Sequence, residues 1–146
     1  MKIRPPFIAI SYLLIAFGLD LLFPTKKIII FPNNLIGVLI IVGGISLIVL
    51  AAILFKKEGT PKNPFKEPTV MISSGPYKFT RNPMYVGVTL VSLGISVLIG
   101  SYIIFLAPLA FFLTINFTFI PREEKIMENL FGQKYLDYKK KVRRWL

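Results

Sequence analysis

Long apolar runs are the feature of this sequence that most restricts its fold. They occupy residues 5–24, 35–55 and 83–120. A helix that crosses the hydrocarbon core of a bilayer needs about 20 apolar residues, and each of the first two runs reaches that length. The third is too long for one span at ~1.5 Å of rise per residue, so we predict a turn at Gly100-Ser101 between two short helices, 84–99 and 102–120.

Together these runs predict an all-α, polytopic membrane protein with about four transmembrane helices, the last two forming a short hairpin. Gly37, Gly43 and Gly44 are expected to let another helix approach the second span closely. Pro108 is expected to kink the fourth helix, because proline removes a backbone donor. A signal peptide is the competing interpretation of the first run, but that run is long for one and no small-residue cleavage site follows it.

One domain with four parts is expected from the same pattern. The parts are two N-terminal helices in 1–55, a polar loop in 56–83, the helical hairpin in 84–120 and an amphipathic helical tail in 121–146. Prolines preclude a long helix in the loop, and Gly132 is expected to end or bend the first helix of the tail. With about four spans, both termini and the loop share one side with all lysines and arginines except Lys26 and Lys27. The positive-inside rule places that side in the cytoplasm.

Composition excludes several kinds of chemistry. The chain has no cysteine and no histidine, which removes disulfides, thiolate nucleophiles and the usual base at neutral pH, and we predict no metal site. A net charge of +11 would suggest nucleic acid as the partner of a soluble protein. In a membrane protein the positive-inside rule and anionic lipid headgroups explain the charge more simply, so no nucleic-acid partner is expected.

A polar, turn-rich segment leads into the third apolar run. It is residues 75–87, GPYKFTRNPMYVG, and we call it the elbow. Its Gly-Pro and Asn-Pro dipeptides break regular structure. An arginine at the mouth of a membrane helix, Arg81, indicates an anionic ligand; the alternative is an interfacial loop whose arginine meets lipid phosphate.

Two carboxylates, Glu123 and Glu124, stand just beyond the other end of that run. Anionic headgroups repel them, so they need a cationic partner, which is Arg81, Arg122 or a ligand. An alternative reading of the whole tail is a purely interfacial helix. In that reading Trp145 is an aromatic anchor and the basic residues touch anionic lipid.

If the hairpin folds back, the elbow and the acidic pair meet at the cytoplasmic face. Arginine can hold a carboxylate through two hydrogen bonds, and carboxylates can hold an ammonium, so together they complement an amino-acid zwitterion. Tyr77, Tyr85 and Tyr135 can stack on a flat base or attract a sulfonium. The residues themselves therefore predict a zwitterion-binding cleft at a membrane surface.

The elbow also resembles the Gly-Pro-Tyr … Arg-His/Asn-Pro-x-Tyr-x-Gly signature of the isoprenylcysteine carboxyl methyltransferase and phospholipid methyltransferase superfamily. The tail, REEKIMENLFGQKYLDYKKKVRRW, is similar to the second block of that superfamily, in which an acidic pair precedes Leu-Phe-Gly and a tyrosine-bearing helix. The likeness covers roughly residues 70–146. It implies S-adenosylmethionine bound at the cytoplasmic face and a methyl acceptor that enters from the bilayer.

Position by position, the resemblance implies a cofactor site made of Tyr77, Arg81, Asn82, Pro83, Tyr85, Gly87, Glu123 and Glu124. Gly87 would allow the backbone to approach the cofactor closely. The isoprenylcysteine enzymes typically have histidine where this chain has Asn82, and asparagine cannot change its charge near neutral pH. That departure puts isoprenylcysteine in doubt as the substrate. No catalytic residue is assigned, and the candidates are Arg81, Tyr85, Glu123 and Glu124.

The predicted function is methyl transfer from S-adenosylmethionine to a lipid or lipophilic small molecule. The acceptor atom stays open among carboxylate, amine and thiol, and so does the oligomeric state. One alternative enzyme is a membrane reductase of the sterol-reductase type, which uses NADPH and has a similar Arg-His-Pro-Asn-Tyr elbow. The non-enzymatic alternative is a small helical scaffold whose loops anchor it in the membrane.

Overall fold

The computed structural model describes residues 4–59 and 69–146, and within these ranges every regular element is helical, which confirms the all-α prediction. The helices are α1 (Pro5–Leu22), α2 (Ile36–Lys57), α3 (Pro83–Ile99), α4 (Leu106–Thr114), α5 (Ile120–Phe131) and α6 (Gln133–Lys141). Short 3₁₀ turns occupy Asn33–Leu35 and Gly75–Lys78. Residues 60–68, with most of the prolines predicted to preclude a helix in the loop, lie outside the described residues.

Two of the described helical segments, Pro5–Leu22 and Asn33–Lys57, are long and apolar enough to cross a membrane by themselves. Only 17% and 11% of their most apolar stretches are buried within the protein. Exposed leucines, isoleucines and valines cover their outer faces, a surface that suits lipid and not water. Helix α3 is apolar but shorter, so a count of four spans remains a prediction.

Helices α1 to α4 pack in the spatial order α2, α3, α4, α1, and the contact between α2 and α3 is the most extensive. Glycines face one another across that contact. A Cβ atom added to Gly44 would lie 2.7 Å from the carbonyl oxygen of Gly87, and one added to Gly37 would lie 2.5 Å from that of Gly94. The predicted packing role of Gly37 and Gly44 is confirmed. It is wrong for Gly43, where an added Cβ would meet nothing within 4 Å, because that residue faces away from α3.

The turn predicted at Gly100-Ser101 is confirmed, and it closes the end of the bundle opposite the elbow. Gly100 adopts a left-handed conformation with φ +77°, and its carbonyl oxygen accepts a hydrogen bond from the Ile28 N–H at 2.8 Å. The Ser101 hydroxyl donates to a carboxylate oxygen of Asp20. The loop between α1 and α2 is thereby joined to the turn between α3 and α4.

Helix α4 begins later than predicted, at Leu106. Pro108 therefore lies in its first turn, where the N–H that proline lacks has no intrahelical partner, and the predicted kink of an ongoing helix is wrong. The predicted end at Ile120 is also wrong. A π-helical turn, Ile115–Phe119, leads directly from α4 into α5 and shifts the hydrogen-bond register just before Pro121. The result is a continuous helical rod, residues 106–131, from the membrane helices into the tail.

Candidate functional site

The elbow is held in place by the last residues of the chain. The Arg81 N–H donates to the Arg143 carbonyl at 2.9 Å, which forms a short parallel bridge between Thr80 and Arg143. The Thr80 hydroxyl and the Asn82 side-chain amide both donate to the Arg144 carbonyl, at 3.1 and 2.9 Å. The sequence did not predict this pairing, since two arginines beside a tryptophan fit lipid contact equally well.

Trp145 is docked against the helical rod. Its ring lies 4.5 Å from that of Phe112, centroid to centroid, and its indole N–H donates to the Asn116 side-chain oxygen at 3.0 Å. Asn116 belongs to the π-helical turn, and the same oxygen accepts from Arg144 at 3.3 Å. These contacts use the only polar hydrogen of the Trp145 ring inside the protein, which favours a structural role for Trp145 over that of an interfacial anchor.

Glu124 is the centre of a buried ion cluster. Its Oε1 atom lies 3.0 Å from Arg81 Nη1, and its Oε2 atom lies 2.9 Å from Arg144 Nη2 and 3.4 Å from Lys139 Nζ. Burial disfavours its ionised form, but the hydrogen bonds from Arg144 and the three positive charges outweigh burial and lower the pKa of Glu124. Of the two protein partners considered for the acidic pair, Arg81 is in contact, while Arg122 is exposed.

Positive charge exceeds negative charge in this cluster. Lys139 also contacts Glu128 at 2.6 Å, and that hydrogen bond is the main cause of the raised pKa of Lys139. Within residues 4–59 and 69–146, Arg81, Arg144 and Lys139 thus share two carboxylates. The excess favours an additional anion at the Arg81 end of the site.

The Arg81 side chain has N–H donors that the described residues leave without an acceptor. Its side chain is 9% exposed, yet Nε and Nη1 have no hydrogen-bond acceptor in the part of the chain that the structure describes. The 3.0 Å approach of Nη1 to Glu124 is an ion pair without the alignment of a hydrogen bond. Buried donors without an acceptor destabilise a protein, so this guanidinium is suited to bind an anionic ligand.

Glu123 has a different environment from its neighbour. The Tyr85 hydroxyl donates to its Oε1 atom at 2.6 Å, and among the described residues no lysine or arginine nitrogen lies within ion-pair distance of it. Burial raises the pKa of Glu123 to about 7, and the hydrogen bond from Tyr85 offsets only part of that effect. The two adjacent glutamates are thus chemically distinct, one fixed as an anion and one able to change its charge near neutral pH.

A cavity of about 340 Å³ joins these groups, a size within the usual range of ligand sites. Seven of the eight predicted cofactor residues line it, namely Tyr77, Arg81, Asn82, Pro83, Tyr85, Glu123 and Glu124. Tyr135 lines it too, as predicted. Gly87 does not, because it lies in the contact with α2, and a Cβ there would meet Ile48 at 2.5 Å. Its predicted role toward a cofactor finds no support in this position.

The first two helices also contribute to the cavity, which the sequence did not indicate. Arg4, Pro5 and Pro6 at the start of α1 line one part, and Ile48 and Phe55 of α2 line another. Apolar residues of this kind could not be told apart from the many others on those helices, since only the packing selects which of them face inward.

The sequence model of the phospholipid methyltransferase family matches residues 33–134. The chain belongs to the phospholipid methyltransferase family. The matched residues contain both the elbow and the acidic pair, so the comparison confirms the superfamily resemblance. Membership in this membrane-associated family, together with the apolar helices, identifies a membrane protein of the methyltransferase type.

A second comparison finds a bacterial relative. An uncharacterized protein of Haemophilus influenzae is 41% identical over 63 residues, which are 43% of this chain and all of the relative. The present chain is therefore considerably longer than that relative.

Proposed function

We propose that this protein transfers a methyl group from S-adenosylmethionine to a lipid or lipophilic acceptor at the face of a membrane. The observation that carries the proposal is the buried Arg81 guanidinium, whose Nε and Nη1 lack hydrogen-bond acceptors within residues 4–59 and 69–146 and which lines the 340 Å³ cavity. An amino-acid carboxylate is the planar anion that such a fork binds best. Family membership supports the same chemistry.

The cavity residues fit the cofactor in two respects. Arg81 would hold the carboxylate, and the excess positive charge around Glu124 favours it there. The rings of Tyr77, Tyr135 and Tyr138, all on the cavity wall, would face the adenine base or the sulfonium. Bound there, S-adenosylmethionine would supply the electrophilic methyl group, so the chain itself must bind both reactants, orient them and exclude water.

The apolar part of the cavity supports a lipophilic acceptor. Ile48, Val88 and Met127 line it from three different helices, and α1 and α2 present exposed apolar faces on either side. An acyl or prenyl chain gains by burial against such a wall. The family description supports a lipid as well, and we propose that the acceptor reaches the cavity from the bilayer.

Binding of S-adenosylmethionine to the detergent-purified chain, measured by calorimetry, tests the proposal. We expect Arg81→Lys to weaken binding at least about 10-fold, because lysine keeps the charge but loses the fork. Arg122→Lys is the matched control, since Arg122 is exposed, and it should bind like the wild type. Loss of label transfer from tritiated cofactor to total membrane lipids should accompany the Arg81→Lys change.

A thermal-shift assay with the two cofactors separates the alternatives. A thermal shift with NADPH and none with S-adenosylmethionine would favour a reductase, and no shift with either would favour a scaffold. Equal binding by wild type and Arg81→Lys would contradict the assignment of Arg81.

We also propose that the site faces the cytoplasm, because Lys26 and Lys27 are the only basic residues expected on the opposite side. The chain has no cysteine, so single cysteines report topology directly. A membrane-impermeant maleimide applied to intact cells should label Lys26→Cys and leave Lys134→Cys unlabelled. The reverse pattern would contradict this orientation.

A further inference from the structure

We infer that Glu123 is the residue that accepts a proton from the methyl acceptor, and that Tyr85 positions its carboxylate for this role. The inference rests on the proposed function and goes beyond it, since neither family membership nor cofactor binding assigns a base. It applies to an acceptor that must lose a proton before methylation, such as an amine.

Elimination is the first step. The carboxylates on the cavity wall, within the described residues, are Glu123 and Glu124. Glu124 has Arg81, Arg144 and Lys139 within 3.4 Å or less, so its negative charge is neutralised, and protonating it would leave the buried Arg81 without its ion-pair partner. Its lowered pKa agrees with that conclusion. Glu123 is the carboxylate of the cavity that remains available for proton transfer.

The surroundings of Glu123 suit a base. Its Oε1 atom accepts the Tyr85 hydroxyl at 2.6 Å, which fixes the orientation of the group while Oε2 is left free of that bond. Tyr85 packs against the apolar cluster that contains Ala9, Ile115 and Ile120. Glu123 also shares the cavity wall with Ile48, Val88 and Met127, the apolar residues that would contact a lipid. A base with a pKa near the working pH is the most effective one, and the pKa of about 7 for Glu123 meets that condition.

Several charged and titratable groups of the described residues share the cavity wall with Glu123. They are Arg4 before α1, Tyr77 and Arg81 of the elbow, Tyr85 of α3, Glu124 of α5, and Tyr135 and Tyr138 of α6. The tyrosines stay neutral over the working range because burial raises the pKa of Tyr77 above its usual value and that of Tyr138 to about 12. Glu124 keeps its charge through its ion pairs, so Glu123 is the group of this set that titrates near neutrality.

The proton transfer balances without any further reactant. An N–H bond of an ammonium breaks, an O–H bond forms on Glu123, and the electron pair stays on nitrogen as the nucleophile for the methyl group. An unpaired carboxylate also attracts an ammonium and repels a carboxylate acceptor. The wall around Glu123 thus favours amines over acids by charge as well as by proton chemistry.

Three measurements on the full chain test the inference. With phosphatidylethanolamine vesicles as the amine probe, the wild-type rate should rise from about pH 5 and level off above about pH 7. Glu123→Gln should lower the rate at least about 100-fold and abolish that rise, and Glu123→Asp should restore part of both. Cofactor affinity of Glu123→Gln, measured by calorimetry, should fall less than that of Arg81→Lys. In pH-difference infrared spectra of the cofactor-free protein, a carboxylic C=O band should titrate near pH 7 and disappear in Glu123→Gln.

Tyr85→Phe is the test of the positioning role. Its hydroxyl lowers the pKa of Glu123, so the midpoints of the rate profile and of the infrared titration should both move to higher pH. A merely structural role would change the rate without moving either midpoint.

Several results would overturn the inference and leave the proposed function intact. They are a normal rate and pH profile for Glu123→Gln, transfer to fatty-acid carboxylates in preference to the amine vesicles, and cofactor binding by Glu123→Gln as weak as that of Arg81→Lys. The last result would place Glu123 on the cofactor ammonium. Absence of cofactor binding by the wild type would instead reject the proposed function.

Discussion

The side-chain amide of Asn82 donates a hydrogen bond to the backbone carbonyl of Arg144, 2.9 Å away across 62 positions of sequence. Asn82 is the position at which this chain departs from the histidine of the isoprenylcysteine enzymes. Here the residue joins the elbow to the end of the chain, so that Arg81 and Arg144 converge on Glu124. A neutral amide makes this bond without any change of charge with pH, whereas a histidine there would change its charge near neutral pH.

Loss of the Asn82 amide should loosen the elbow. We expect Asn82→Ala to lower the free energy of unfolding by about 1–3 kcal/mol, because the Arg144 carbonyl loses a donor in a half-buried site. Unfolding in mixed detergent micelles measures the change. Asn129→Ala is the matched control, since that asparagine is exposed, and it should behave like the wild type. An equal effect of both substitutions would show that the bond contributes nothing specific.

The contact between α2 and α3 makes an equally direct prediction. Gly44→Ala should destabilise the protein by about 1–3 kcal/mol, because the new methyl group would lie 2.7 Å from the Gly87 carbonyl oxygen. Gly43→Ala, one residue away, meets nothing within 4 Å and should be neutral or slightly stabilising. Thermal unfolding of the two variants side by side distinguishes them, and a reversed order would refute the packing described above.

Removing the Trp145 ring should separate the end of the chain from the helical rod. The ring contacts Phe112 and its N–H bonds to Asn116, and for a half-buried tryptophan we expect Trp145→Ala to cost about 2 kcal/mol. Leu146→Ala, at a residue that is 71% exposed, is the control. Cofactor affinity should fall with Trp145→Ala and not with Leu146→Ala, because residues 143–145 position both Arg144 and Arg81. Unchanged stability in that variant would return Trp145 to the role of a lipid anchor.

The raised pKa of Glu123 predicts how the stability of the protein depends on pH. Its pKa in the folded protein is about 7 and that of an ordinary glutamate is 4.5, so between these values the folded state binds more protons than the unfolded state. The contribution of this group to stability is therefore complete below about pH 4.5 and is lost as the pH rises through about 7. Glu123→Gln should remove this decline and be more stable than the wild type at about pH 8. Parallel pH–stability curves for the two proteins would contradict the assignment.

The helices and the pairing of the elbow with the acidic pair were within reach of the sequence. Apolar runs of sufficient length determine the helices by themselves, and a hairpin must bring its two ends together, which placed Arg81 beside Glu124. The apolar runs thus predict both the helices and, through the hairpin that two of these helices form, the contact between the elbow and the acidic pair.

Other parts of the site depend on packing that no local pattern encodes. From the sequence, Arg144 could equally contact lipid or pair with a carboxylate. Only the fold shows that it pairs with Glu124. Gly43 and Gly44 differ in their environment because of the rotation of α2 about its axis. No characteristic residue pattern marks the π-helical turn before Pro121. The sequence therefore predicted a helix end where the helix in fact continues.

The continuous rod of residues 106–131 makes the cavity sensitive to the bilayer around it. A helix whose apolar length differs from the local membrane thickness responds by tilting. No loop separates α4 from Glu123 and Glu124, so a tilt of the membrane portion moves both carboxylates relative to the elbow. We therefore expect the geometry of the site to depend on the acyl-chain length of the surrounding lipid.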